Sequence, residues 1–225
     1  MGANRIAPAD QQRHSGILKC IGNFQWINIG SYSFRNVWQN DVRKRYGRQN
    51  VHPSQPLLET PRLRLRLMQA DDVDSLLTIF ADPSVMASFG VPPFDRLQMT
   101  QWVQRNLAHQ AEHGYGLFSV LLKTNGLLIG DCGLELMDVD GVPAAELGYD
   151  FRSDYWNQGY ATEAAGAVRD YAFKHLQLPR LVSLIRVGNL PSQRVAEKVG
   201  MHCAATITRN GHRYWHYTLE RELAP

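Results

Sequence analysis

The stretch from Ala145 to Val187 constrains this chain most. A strand pattern from Ala145 to Phe151 is followed by Gly159, a helical pattern from Tyr160 to Leu176 and a second strand pattern from Leu181 to Val187. This is a strand–helix–strand unit. Gly159 permits a sharp turn into the helix because it carries no Cβ. Ala161, Ala164, Ala165 and Val168 form a small-residue stripe that lets the helix pack close to a sheet. The free amides of the first turn then face outward beyond a strand's C-terminal end, where a phosphate-bearing group meets donors and the positive end of the helix dipole. On spacing alone, a Gly-x-Ala turn is more often ordinary packing than a binding site.

The elements around this unit are marked locally. Leu63, Leu65 and Leu67 alternate with Arg62, Arg64 and Arg66, the period of a strand with one buried face. Asp71 or Asp72 caps a helix that carries Val73, Leu76, Leu77 and Phe80 and ends before Pro83. Asp95 caps a second helix through Trp102, Val103 and Leu107 to Gly114. The apolar runs Leu117 to Leu122 and Leu127 to Leu136 meet at Asn125-Gly126, and Met201 to Thr208 meets His212 to Leu219 at Asn210-Gly211. Asn-Gly takes up positive φ easily, so each pair is a hairpin. A helix from Pro191 to Val199, stopped by Gly200, precedes the second one. The order β α α β β β α β α β β describes an α/β domain, a mixed sheet with helices on both faces. Strand order does not follow from it.

The texture changes at His52 to Pro56, which reads as a linker, so the chain divides into an N-terminal extension, 1–54, and a folded domain, 55–225. Residues 1–54 hold eight Lys and Arg against two acids, a net +6, whereas the remainder is net −3 and the whole chain is +3. The basic character, concentrated at Arg43 to Arg48, therefore belongs to the extension. It reads more readily as a solvated tail or a misassigned translation start than as a nucleic-acid surface. With 44% apolar residues the domain can build a core. No apolar run reaches the ~20 residues that span a bilayer, and no signal-peptide core opens the chain, so a cytoplasmic location is expected. Cys20, Cys132 and Cys203 form no Cys-x-x-Cys pair and read as reduced, mostly buried thiols. His109 and His113 share a helix face, but Gln110 stands where a zinc-protease helix needs Glu, so no metal is expected.

Three ordered stretches carry a resemblance. Tyr155-Trp156-Asn157-Gln158-Gly159-Tyr160-Ala161-Thr162-Glu163-Ala164 resembles the acetyl-CoA pyrophosphate loop of the GNAT N-acetyltransferase superfamily, in the form of its RimJ/RimL-like branch. Leu58-Glu59-Thr60-Pro61-Arg62-Leu63-Arg64-Leu65-Arg66 and Asn189-Leu190-Pro191-Ser192-Gln193-Arg194-Val195-Ala196-Glu197-Lys198-Val199-Gly200-Met201 are similar to the same branch. The resemblance covers essentially all of the chain after the linker. It implies a GNAT fold, with a mixed, mostly antiparallel central sheet, a splayed parallel strand pair and acetyl-CoA in the gap. It also implies roles. Asp150, Phe151 and Arg152 would line the pantetheine with backbone groups, Gln158, Gly159, Tyr160, Ala161 and Thr162 would hold the phosphates, and Asn189 and Ser192 would reach the cofactor from the other side. Trp156 is usual in the branch, whereas Asn157 replaces a common Gly and stiffens the loop.

Acetyl transfer from a thioester requires a neutral amine, a donor to the developing oxyanion and a proton for the thiolate. At pH 7 an α-amine of pKa ~8 costs about 1.4 kcal/mol to neutralise, and a lysine amine at ~10.4 roughly 4.6 kcal/mol. By resemblance Glu146 is the candidate base, directly or through water, and Ser192 the candidate donor to the thiolate. A solvent-facing carboxylate and a local helix cap are equally open for the two. The GNAT helix often carries a Tyr for the second role, and Pro191 to Val199 has none. The expected activity is an acetyl-CoA-dependent N-acetyltransferase without metal, acting by direct attack in a ternary complex on a primary amine. The branch resemblance slightly favours a protein N-terminus over a small molecule. A ribosome- or nucleic-acid-associated protein acting through residues 1–54, and a non-catalytic acyl-CoA-binding domain, are the alternatives. No membrane partner is expected, and a homodimer stays open.

Overall fold

The computed structural model describes residues 57–139 and 141–222. The extension 1–54, its Arg43 to Arg48 cluster and Cys20 lie outside the described residues. In chain order the elements are β1 (Leu58–Glu59), β2 (Leu63–Leu67), α1 (Val73–Phe80), α2 (Pro83–Met86), α3 (Arg96–His113), β3 (Leu117–Leu122), β4 (Leu128–Val139) and β5 (Val142–Phe151). They continue with α4 (Tyr160–Lys174), β6 (Arg180–Arg186), α5 (Leu190–Lys198), β7 (His202–Arg209) and β8 (His212–Glu220). The strands form an 8-stranded sheet in the order β1-β2-β3-β4-β5-β6-β8-β7. Every neighbouring pair is antiparallel except β5 and β6.

Each face of the sheet carries its own core. The Ala164, Ala165, Val168 and Ala172 stripe of α4 packs with Phe118, Val120, Leu134, Leu147 and Leu181 on one face. On the other, α1 and α3 bury Leu76, Ile79, Phe80, Trp102 and Val103 against Leu117 and Leu128. Strand alternation assigns neighbours in β3 to opposite cores, Leu117 to the second and Phe118 to the first. The mixed sheet with helices on both faces agrees with the sequence pattern. Asn210 and Gly211 both take positive φ, 50° and 76°, as the tight hairpin between β7 and β8 requires.

Four details depart from the pattern. Asp138 pairs with Pro143 and Val139 with Val142, so β4 runs past Leu136 and β5 begins before Ala145, the two forming one long hairpin. Helix α2, headed by Asp82 accepting the Ser84 amide at 2.8 Å, is too short to leave a period in the sequence. Cys132 is buried as expected, but Cys203 is exposed on β7. Asp95 does cap α3, through a reciprocal pair of hydrogen bonds with Gln98. Asp72, by contrast, does not cap α1 with its side chain. It turns back to accept from the Gln69 amide at 2.8 Å, from Arg66 Nη1 at 2.7 Å and from Ser119 Oγ at 2.7 Å.

Asp72 thereby ties the start of α1 to β2 and β3. Burial alone would raise its pKa, but the bonds from Arg66, Ser119 and Gln69 outweigh that and hold it below the ordinary carboxylate value. Removing one partner of a buried pair strands the other charge. Asp72→Ala is expected to destabilise the fold by about 3–5 kcal/mol, measured by denaturant unfolding.

Candidate active site

Strands β5 and β6 share only the pairs Ala145↔Leu181 and Glu146↔Val182. Beyond Glu146 they part. β5 stays in register with β4 as far as Phe151↔Gly130, and β6 stays in register with β8 as far as Arg186↔Tyr214. A gap thus opens inside the sheet, its edges held by ladders on either side. Glu146 stands at its apex. Its carboxylate reaches across, Oε1 accepting the Leu184 amide of β6 at 3.1 Å.

At the rim, Asp150 and Phe151 end β5, and Arg152 turns its guanidinium onto Asp154 at 2.8 Å. The indole of Trp156 donates to the Phe151 carbonyl at 2.8 Å, anchoring the following turn to the strand end. Asn157 takes φ 59° and Gly159 φ 82°. Asn157 therefore occupies a left-handed position, which accounts for Gly being common there and for Asn being tolerated. Gly159 is the N-cap of α4, and no side chain caps that end. The first-turn amides at Tyr160, Ala161 and Thr162 have no intrahelical acceptor by the geometry of any helix start. They and the helix dipole make a place for an anionic group.

The turn is braced from below by residues that sequence reasoning gave no such role. Glu163 Oε1 accepts Thr60 Oγ1 at 2.6 Å and the Arg62 amide at 2.9 Å, and its Oε2 accepts Arg62 Nε at 2.6 Å. Arg62 Nη1 also donates to the Gln158 carbonyl at 2.9 Å, and the guanidinium lies 4.2 Å from the centre of the Tyr160 ring. Burial works against the Glu163 carboxylate, yet the bonds from Thr60 and Arg62 hold its pKa below the ordinary value. Glu163 thus ties the first turn of α4 to Thr60 and Arg62. The signal lay in the two matched stretches themselves, Thr60-x-Arg62 and Thr162-Glu163, whose contact no local pattern reveals.

Across the gap, Asn189 heads α5 and accepts the Ser192 amide at 3.2 Å. Tyr149 of β5 donates its hydroxyl to the Ser192 carbonyl at 2.7 Å, so β5 and the first turn of α5 are joined. Tyr149 thus stands beside the first turn of α5 with its hydroxyl proton directed to that carbonyl. Asp150 to Arg152 and Gln158 to Thr162 thus lie at or after the C-terminal end of β5, and Asn189 with Ser192 follows that of β6.

Electrostatics single out the other face of β5. Burial pushes the Glu146 carboxyl up to about 7, against the Leu184 amide and Arg209, which favour its charged form. Burial, with Glu146 and Asp150 nearby, lifts Glu135 to about 8 against the opposing pull of Arg105. Burial and Glu146 lift Asp150 to about 7. Such values suit groups that exchange protons near neutrality. His109 belongs elsewhere: its Nδ1 faces the Tyr115 carbonyl at 3.1 Å and its Nε2 accepts the Leu136 amide at 3.0 Å. Burial, with His113 beside it, lowers its pKa to about 4, so it is a neutral structural link between α3 and β4.

Comparison with known proteins follows the same lines. Residues 62–202 match the family model described as an acetyltransferase (GNAT) domain. The chain is similar to the uncharacterised protein YkkB of Bacillus subtilis, 37% identical over 153 residues that cover 68% of this chain and 88% of that protein. It is similar to a crystal structure of an acetyltransferase from Agrobacterium tumefaciens, with TM-score 0.65 and 31% identity, over 78% of this chain and 100% of that one. It shares its fold with RimL, a ribosomal L7/L12 alpha-N-protein acetyltransferase in complex with coenzyme A, with TM-score 0.63 and 17% identity, over 74% of this chain and 98% of that one.

If Arg62 shapes the turn before α4, its loss should act on cofactor affinity rather than on folding. Arg62→Ala is expected to weaken coenzyme A binding about tenfold by calorimetry, the scale of one lost bond to a charged group, with an unchanged far-UV spectrum. Arg62→Lys, which keeps the charge but not the forked donors, should recover only part of it.

Proposed function

Because the chain belongs to the GNAT acetyltransferase family, and so is an acetyl-CoA-dependent acetyltransferase acting on an amine, we propose how its own residues carry out the transfer. The observation that carries this reading is the parting of β5 and β6 beside Glu146. The first-turn amides at Tyr160, Ala161 and Thr162, with Gln158 and Gly159, hold the diphosphate of the cofactor. The pantetheine arm threads the gap along the backbone of Asp150, Phe151 and Arg152. Asn189 and Ser192 close on it from α5. The thioester then lies near the apex of the gap, beside Glu146.

In a ternary complex a primary amine attacks the thioester carbonyl directly. Glu146, poised near neutrality, takes the proton that the ammonium must lose, and exposed amides of the parted strands stabilise the oxyanion. The thiolate leaves and is protonated, with Ser192 the nearest proposed donor. Tyr149, whose hydroxyl already reaches the Ser192 carbonyl, positions that turn. A protein N-terminus and a small-molecule amine both satisfy this chemistry.

Glu146→Gln is expected to lower kcat about a hundredfold or more while coenzyme A affinity stays within error. For the unaltered protein, kcat/KM should rise with pH through about 7, as the Glu146 carboxyl loses its proton, and the variant should lack that limb. A pH profile of thiol release, together with calorimetry, measures both.

A further inference from the structure

Strands β4 and β5 carry mirror-image patterns, Asp131-x-Gly133-x-Glu135 and Glu146-x-Gly148-x-Asp150. In the antiparallel register these superpose: Asp131 opposes Asp150, Gly133 opposes Gly148, and Glu135 opposes Glu146. Opposed residues share a face of the sheet. Gly133 also opposes Leu117, which belongs to the core beneath α1 and α3, so four carboxyl groups stand on that face around a glycine rung.

Like charges opposed across a ladder destabilise it. Here the compensation is sparse. Among the described residues, the cations that act on the group are Arg105 of α3, near Glu135, and Arg209 of β7, near Glu146. Arg66, on the same face, is committed to Asp72. Asp131 is wholly buried, and neither of its carboxylate oxygens has a hydrogen-bond partner among the described residues. A buried carboxyl left in that state calls for a cation or a proton. Its side chain lies against the Asp150 rung, and Asp150 and Glu135 both act on it.

The glycine rung is closed on one side and open on the other. A Cβ at Gly133 would fall 2.1 Å from the Gly116 carbonyl oxygen, so β4 is covered there. A Cβ at Gly148 would meet only Leu117 Cδ2, at 3.9 Å. An open strip therefore runs along β5 from Glu146 over Gly148 to Asp150, roughly 13 Å at ~3.3 Å per residue. It lies on the face opposite α4, so an acceptor there approaches the gap from the side away from the cofactor's diphosphate.

We propose that this strip is the acceptor site and that the acceptor is an aliphatic diamine or polyamine. The reacting ammonium sits at Glu146 with Glu135 beside it, the methylene chain crosses Gly148, and the second cation sits at Asp150 with Asp131 behind it. This rests on the acetyl-transfer reading above. The reacting ammonium gives one proton to Glu146, the nitrogen bonds to the acetyl carbon, the carbon–sulfur bond breaks, and the nitrogen's second proton passes to the departing thiolate. The products are the mono-N-acetyl amine and coenzyme A, and Glu146 returns its proton to solvent.

The test is acetyl transfer by the full chain to cadaverine and to n-pentylamine, equal chains that differ by one ammonium, with coenzyme A affinity measured in parallel. The expected kcat/KM is about tenfold or more higher for cadaverine, the scale of a hydrogen bond between charged groups, and Asp150→Asn removes most of that preference. Equal kcat/KM for the two amines, or a preference undiminished in Asp150→Asn, overturns the dication site and leaves acetyl transfer standing. Acetylation of a peptide N-terminus with both amines inert has the same meaning. A folded protein without affinity for coenzyme A overturns both.

Discussion

Two parallel strands that pair over two residues and then diverge set the rest of the structure. A gap inside a sheet leaves backbone donors and acceptors without ladder partners, a cost that a protein interior seldom tolerates. The outer neighbours maintain it here. β4 holds β5 through a ladder from Val142 to Phe151, and β8 holds β6 from Arg180 to Arg186, so neither strand can relax toward the other. Glu146 spans the narrow end and satisfies the Leu184 amide with a side chain in place of a strand. The polar groups left at the wide end suit an amide-bearing arm such as pantetheine.

The two faces of the sheet treat carboxylates in opposite ways, and that contrast divides the work. On the α4 face, Glu163 is surrounded by donors from Thr60 and Arg62, stays ionised and acts as a brace. On the α1 and α3 face, Glu135, Glu146 and Asp150 are half-buried near one another with few donors, and their protons are held more tightly than in water. Asp72 lies near that second group yet belongs with the braces, because Arg66 and Ser119 reach it. Hydrogen-bond supply, more than burial, separates the structural acids from those available for proton transfer.

The fold was legible where the chain declares itself locally. The alternation of Leu63, Leu65 and Leu67, the alanine stripe of α4, the Asn210-Gly211 turn and the Asp95 cap each follow from short-range geometry, and each is present, whereas in the longer β3–β4 turn only Gly126 of the Asn-Gly pair takes positive φ. Helix α2 was missed because four residues leave no period. The tip of the β4–β5 hairpin falls outside the runs that end at Leu136 and begin at Ala145, because Asp138 and Pro143 interrupt the apolar pattern although they pair. The turn at Gly159 was readable from resemblance, but its attachment to Arg62 joins positions about a hundred residues apart and leaves no local trace. Glu135 and Asp131 were overlooked for a different reason. The mirrored patterns on β4 and β5 were in plain view, but only the strand register shows that they coincide.

Hydrogen exchange at individual amides tests the central claim most directly, because the claim concerns which backbone groups receive the cofactor. On addition of coenzyme A, amides at Tyr160, Ala161 and Thr162 should slow strongly, with further slowing along Leu147 to Arg152. Binding that leaves these amides unchanged, or that protects a different segment, would contradict the account.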